Sequence, residues 1–271
     1  MIKFAVAGSL NYKHKIEYLS SHGYTPDLII GIEHIIGYKD VINEKGIELL
    51  VCFAYPNILT GDEINLFSKG CINYHSGLPK YRGRHPLNWM IIDGIRKIPN
   101  AIHYLDEGID TGDIILKRDI IREREDDYAS LLEKQTSLSQ EMMLEAIRMI
   151  EIGNISRKEQ HKDEFDYTKK RTPEDSKLDW TKTSFEIHNF ISALVDPMPN
   201  AFSMINESKI EIKKSYRGST FGVVLGELQD GRYVISTGDG VVLVDANVNL
   251  QIGDQLLWVI AAWNINHNKI V

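Results

Sequence analysis

The chain is predicted to be an α/β protein with a small β-rich domain at its C-terminal end, and three observations predict it. Short apolar runs alternate with helix-spaced segments through the first hundred residues, a single long helical pattern takes over near Tyr128, and short β-rich runs separated by Gly and Asp follow Pro199. Alternation of strand and helix over this length implies a mostly parallel sheet covered on both faces. A tail of several short strands with turn residues between them implies a barrel-like unit of about five strands.

The elements follow in order. Residues 2–7 (IKFAVA) are apolar and end at Gly8-Ser9; residues 12–22 then carry helical spacing, with Ile16 and Leu19 on one side and Gly23 at the end. Strands are predicted at Asp27 to Ile32 and at Glu48 to Tyr55, with a short helix at Lys39 to Lys45 between them. Thr60 or Gly61 caps a helix expected to run to Lys69 and close on Gly70. The strand Cys71 to Tyr74, the loop HSGLPKYRGRH, a helix opening on Pro86 and the strand Ala101 to Leu105 complete the α/β part. A long helix spans Tyr128 to Ile152, a polar, charge-dense stretch runs from Arg157 to Lys182, and a further helix covers Ser184 to Leu194. The expected domains are 1–200, including a helical linker region at 128–200, and 201–271.

Composition excludes several classes. With 43% hydrophobic and 25% charged residues in 271, the chain is an ordinary globular sequence long enough to bury a substantial core. Its longest apolar runs fall far short of the roughly 20 residues that span a bilayer, and MIKFAVAGS reads as a first buried strand, not as a signal peptide. A cytoplasmic protein is therefore expected. Cys52 and Cys71 lie in apolar segments without metal-ligand spacing and read as core thiols; no metal is expected. A formal net charge of −7 disfavours a large nucleic-acid footprint, which needs a clustered basic surface.

Asn73 and His75 stand two apart at a strand end, so an extended backbone sends both side chains to one face, at the crevice beyond the carboxyl ends of a parallel sheet. The loop SGLPKYRG combines turn residues with Lys80, Arg82 and Arg84, a combination suited to an anionic group. The strand AIHYL then leads into DEGIDTGD, whose Asp110 reaches the same crevice. Each feature has a plainer reading: DTGD is also a sound β-turn, Gly8-Ser9 without a GxGxxG pattern is also a plain tight turn, and Arg122 to Asp127 and Lys169-Lys170-Arg171 read as solvated surface. His85 and His103 read as packing or supporting residues near the crevice.

Taken together, CINYHSGLPKYRGRHPLNW and IHYLDEGIDTGDII resemble the signature of the folate-dependent formyltransferases, a family that includes methionyl-tRNA, glycinamide-ribonucleotide and sugar-nucleotide N-formyltransferases. The likeness extends through LLVCFAYPNIL, RTPEDSKLDW and GVVLGELQDGRYVISTGDGVVLV, and so over most of the chain. It implies a Rossmann-like sheet with an OB-like C-terminal barrel, and a catalytic trio of Asn73, His75 and Asp110. It also implies 10-formyltetrahydrofolate as formyl donor, its pterin held by Pro56, Asn57, Ile58 and Leu59 and by Leu105, Asp106 and Gly108. The amine-bearing substrate would meet Ser9, Lys80, Arg82 and Arg84.

These residue types suit the chemistry. An amine attacking a formyl carbon drives negative charge onto the oxygen, and a fixed amide donor stabilises that charge by about 2–4 kcal/mol. An imidazole ordinarily titrates near neutrality and can carry protons between the attacking and departing nitrogens, and a carboxylate orients it. The acidic charge balance argues against tRNA as the acceptor, and glycinamide-ribonucleotide enzymes as a family lack a β-rich tail. A nucleotide-linked amino sugar of bacterial surface polysaccharide biosynthesis is then the expected substrate, with no nucleic-acid or membrane partner and with a homodimer left open. Methionyl-tRNA, an aminoacyl group on a peptide-synthetase carrier, and hydrolysis of the formyl donor are the alternatives. Relatives carry about 30 more residues ahead of the Asn-x-His pair, so contacts of the abbreviated half are not carried over. Deformylases of the family have a regulatory domain ahead of the catalytic one, and none is expected here.

Overall fold

The apolar run after Lys3 forms β1 (Phe4–Gly8), every residue of which is buried, as a strand covered on both faces requires. The structure is a computed structural model that describes residues 1–9, 12–161, 166–205, 208–217, 226–227, 232–237 and 241–246. Gly8 ends β1 at φ +148° so close to the neighbouring strand that a Cβ there would overlap the Phe53 carbonyl oxygen. Then follow α1 (Lys13–Ser21), β2 (Leu28–Ile30), α2 (Lys39–Lys45) and β3 (Leu49–Phe53), with Gly46 at φ +63° providing the left-handed C-terminus of α2.

The helix α3 (Gly61–Ile64) is shorter than its sequence suggests. It starts as predicted, with a reciprocal cap in which Thr60 Oγ1 accepts from the Glu63 amide at 3.3 Å and Glu63 accepts from the Thr60 amide at 3.0 Å. Beyond Ile64 the Leu66, Phe67 and Gly70 amides bond three residues back. These tight turns place Phe67 in the core and let the Lys69 amide reach the Glu48 carbonyl, which lines the chain up for the next strand.

That strand is β4 (Cys71–Ser76), longer than anticipated and followed by β5 (Tyr81–Gly83), α4 (Pro86–Ile92), β6 (Lys97–Tyr104) and β7 (Ile114–Ile121). The six-stranded sheet runs β2-β1-β3-β4-β6-β7, parallel through β4, with β6 antiparallel to β4 and β7 antiparallel to β6. The α/β expectation therefore holds, with two antiparallel strands completing a mixed sheet. One face packs Phe4, Val6, Val51, Ile72 and Ile102 against Leu19 of α1 and Met142, Met143 and Ile147 of α5 (Tyr128–Ile152). The other packs Ala5, Leu50, Cys52 and Cys71 against Ile35, Ile42 and Phe67. Both cysteines are buried free thiols, as expected.

The chain divides into two compact units. The sheet lies in the first, made of residues 1–86, 97–121 and 133–169; the second takes residues 87–96, 122–132 and 170–271, so the junction expected at 200 falls inside it. The short β8 (Asp166–Thr168) pairs in parallel with β5 within the first unit. The second unit holds α6 (Ser184–Ser192), capped by Thr183 and Glu186, and a five-stranded antiparallel sheet. That sheet is formed by β9 (Ala201–Ile205), β10 (Ser208–Arg217), β11 (Gly226–Glu227), β12 (Tyr233–Ser236) and β13 (Val241–Ala246), in the order β11-β12-β13-β10-β9. Residues 247–271, which the barrel expectation takes in, lie outside the described residues. Among the described residues no helix is long and apolar enough to cross a membrane, and no cluster of His, Cys, Asp and Glu could hold a metal.

Candidate active site

Period-two geometry in β4 places Asn73 and His75 on one side of the strand, and Tyr74 on the other. The antiparallel pairing of β4 with β6 sets His103 directly across from Asn73. The turn after β6 brings Asp110 to the same place, at φ +54°, a left-handed conformation uncommon for a residue with a side chain. Asp110 Oδ2 lies 3.2 Å from His75 Nε2 and accepts from the Gly83 amide at 2.9 Å. The structure thus brings together all three residues expected to be catalytic.

Hydrogen-bond partners fix the protonation pattern. A carboxylate can only accept, and His75 Nε2 also lies 3.3 Å from the Gly83 carbonyl, so Nε2 carries the ring hydrogen. Nδ1 of His75 is buried and has no hydrogen-bond partner among the described residues. His103 Nδ1 donates to the Tyr104 carbonyl at 2.8 Å, and its Nε2 then accepts from Asn73 Nδ2 at 3.4 Å. Burial pushes His103 down to about 4, against the attraction of Asp110 3.8 Å away, so the ring is neutral near pH 7 and forms no ion pair. Asn73 is held by one amide hydrogen, which leaves the second hydrogen and the unpartnered, buried Oδ1 for a ligand.

The residues assigned to cofactor and substrate divide more unevenly. Pro56 and Ile58 are exposed on the loop after β3, and Asp106, Gly108 and Ile109 are exposed on the loop after β6, with Leu105 half-buried. Asn57 spends its amide on the Ile32 carbonyl at 2.9 Å, so its side chain shapes the loop. Leu59 belongs to the core and presents no side chain to a ligand. Asp106 Oδ1 is engaged by the Gly108 amide and Thr111 Oγ1. Lys80 and Arg84 are exposed and Ser9 is half-buried. Arg82 contradicts its assignment: it is only 1% exposed, and its Nη2 donates to Gln160 Oε1 at 3.0 Å. A charge in a turn-rich loop reads as solvated in the sequence, whereas here the guanidinium is buried and bonded to the amide of Gln160.

Gln160 was not anticipated at all. Its Nε2 donates to the Asp110 carbonyl at 3.1 Å and to the Gly112 carbonyl at 2.6 Å. It sits in a charged stretch with no periodicity, and no local signal distinguishes it from its polar neighbours.

An amide, an imidazole and a carboxylate converge where β4 meets β6, a set of groups chemically suited to acyl transfer to a nucleophile. Formyl transferase family models match residues 36–147 and, for the C-terminal domain, residues 170–256. The methionyl-tRNA formyltransferase of Fusobacterium nucleatum is 36% identical over 206 residues, covering 73% of this chain and 66% of that protein. That of Clostridioides difficile is 34% identical over 216 residues, covering 77% and 69%. The chain belongs to the folate-dependent formyltransferase family, and it spans about two thirds of the length of these curated relatives. The fold is shared with the N-formyltransferase of Helicobacter canadensis in complex with folinic acid and dTDP-3-aminofucose. That structure superposes at a TM-score of 0.71 with 22% identity, covering 90% of this chain and 98% of that one.

Proposed function

We propose that this chain transfers a formyl group from 10-formyltetrahydrofolate to the α-amino group of methionyl-tRNA, with Asn73, His75 and Asp110 as its catalytic residues. The observation that carries the reaction type is the convergence of these three side chains, with His75 Nδ1 and Asn73 Oδ1 both buried and without a hydrogen-bond partner among the described residues. The second Asn73 N–H would donate to the oxygen that gains charge during attack. His75 Nδ1 would take the proton from the attacking nitrogen, and Asp110 would hold the ring and stabilise its charged form. The exposed apolar side chains of Ile58 and Ile109 and the backbone of residues 56–59 and 105–108 would meet the flat, hydrogen-bonding ring of a pterin. When bound there, the folate supplies the activated formyl group.

Identity of 34–36% to methionyl-tRNA formyltransferases favours this acceptor over the nucleotide-linked amino sugar expected from charge balance. A net charge of −7 is a whole-molecule sum; on β10, Lys209 pairs with Glu211, and the exposed Lys213 and Lys214 are cations that could meet a phosphodiester backbone. The sugar-nucleotide reading retains one specific support, the exposed Lys80 and Arg84 of the loop around β5. The test is formyl transfer by the purified protein, with initiator methionyl-tRNA and a panel of nucleotide-linked 3- and 4-amino sugars offered in parallel and a control without acceptor. Selective formylation of the tRNA is expected. Turnover of a sugar nucleotide alone replaces the acceptor, and formate release without acceptor replaces transfer by hydrolysis.

A further inference from the structure

We propose that Gln160, gripped by the buried Arg82, is a positioning residue that holds Asp110 in the conformation from which its carboxylate reaches His75. The inference rests on the reading of Asp110 as a catalytic residue given above.

Every hydrogen-bonding group of the Gln160 amide is committed. Its oxygen faces Arg82 Nη2 at 3.0 Å, and its nitrogen faces the carbonyls of Asp110 at 3.1 Å and Gly112 at 2.6 Å. An arginine only donates and carbonyls only accept, so the amide has one permitted orientation and cannot flip. Both side chains are buried, Gln160 at 7% and Arg82 at 1% exposure. The backbone around them is anchored on each side. Two residues before Gln160, Lys158 exchanges both backbone hydrogen bonds with Ile114, at 2.8 and 2.9 Å; the Thr168 hydroxyl in β8 lies between the carbonyls of Arg82 and Arg84, at 2.7 and 2.8 Å, and its one hydrogen is shared between them.

The consequence falls on one residue from two directions. Asp110 sits at φ +54°, a conformation that a side chain disfavours and that persists only where its surroundings impose it. Gln160 imposes it at the main-chain carbonyl. Gly83, the residue after Arg82, imposes it at the carboxylate, its amide donating to Oδ2 at 2.9 Å while its carbonyl meets His75 Nε2 at 3.3 Å. The Arg82-Gly83 dipeptide therefore fixes the main chain of Asp110 through Gln160 and the side chain directly. Without Gln160 the two carbonyls lose their donor, the turn is free to relax toward negative φ, and the carboxylate swings away from the imidazole.

The variants Gln160→Ala and Gln160→Glu of the full chain test this. Glutamate keeps an acceptor for Arg82 while opposing a carboxylate to the two carbonyls; it separates positioning from folding. Crystal structures of the wild type and of Gln160→Glu read the geometry without any acceptor: Asp110 is expected at positive φ in the wild type, and in the variant with its contacts to Gly83 and His75 broken. In formyl transfer to initiator methionyl-tRNA, both variants are expected to lower kcat by at least about 30-fold while KM for 10-formyltetrahydrofolate stays within about threefold. In an Asp110→Asn background, Gln160→Ala should cost less than about threefold more, because the two act as a unit. Retention of the Asp110 geometry in Gln160→Glu overturns the inference, as does a fully additive kinetic loss. A wild type inactive on every acceptor, with the geometry changing as described, overturns the functional reading and leaves the positioning intact.

Discussion

His103→Gln separates the shape of the His103 side chain from its titration. The ring is fully buried across from Asn73, and burial holds it at about 4, against about 6.5 in an unfolded chain. Between those values the unfolded chain binds a proton that the folded chain refuses, so the folded state is at full strength above pH 6.5 and loses stability as pH falls toward 4. Two such titrations, evaluated at pH 7 and pH 5, make this one residue responsible for a loss of ~2 kcal/mol over that interval. Glutamine offers Oε1 to Asn73 Nδ2 and Nε2 to the Tyr104 carbonyl, reproducing both hydrogen bonds of the imidazole without a charge to gain. Urea unfolding followed by far-ultraviolet circular dichroism at the two pH values measures the difference. The variant should lose ~2 kcal/mol less than the wild type between pH 7 and pH 5, and should keep formyl transfer at pH 7 within about fivefold. Equal losses, to within ~0.5 kcal/mol, would refute the assignment of a neutral, buried ring that orients Asn73.

Three further outcomes are expected. Asn73→Ala and His75→Ala should each lower formyl transfer by more than about 100-fold with unfolding midpoints close to the wild type, from loss of the oxyanion donor and of the proton acceptor; near-normal turnover in either removes that residue from the mechanism. Lys15 is 6% exposed among the rings of Tyr12, Phe53 and Tyr74, and burial lowers it to about 8. A depressed lysine weakens the fold below pH 8 and recovers as pH rises toward 10.5, so Lys15→Met should stabilise the protein at pH 7 by ~1–3 kcal/mol after allowing for lost cation–π attraction, with the gain shrinking by pH 10 in urea titrations. Gly8→Ala forces a Cβ onto the Phe53 carbonyl at an unfavourable φ and should cost at least ~2 kcal/mol in the same assay.

How far the sequence reveals this molecule follows from the range of the interactions involved. Strands β1 and β3 are readable because burial on both faces demands continuous apolar runs, which FAVAG and LLVCF supply. Strand β7 escapes because IILKRDII is buried only at its start and then alternates between half-buried and exposed, which leaves no continuous apolar run to mark it. Asn73 and His75 can be placed on one face from their spacing alone, but their junction with Asp110 becomes visible only through the joint pattern of two motifs.

The support beneath that junction stays hidden for a physical reason. For a lone polar residue in a loop, the sequence marks the capacity to bond and not the burial. Arg82 and Gln160 are 78 positions apart, and Gln160 and Asp110 are 50 apart, so no helical or strand period relates them. A guanidinium in a turn-rich loop has the same local signature whether it faces a phosphate or anchors an amide. What decides is the long-range contact that buries Arg82 against Gln160. The same consideration reweighs the acceptor: a net charge counts buried Arg82 and exposed Lys213 alike, whereas only charges that face solvent can meet tRNA. The surface of β10, not the total, is where discrimination between tRNA and a sugar nucleotide is to be sought.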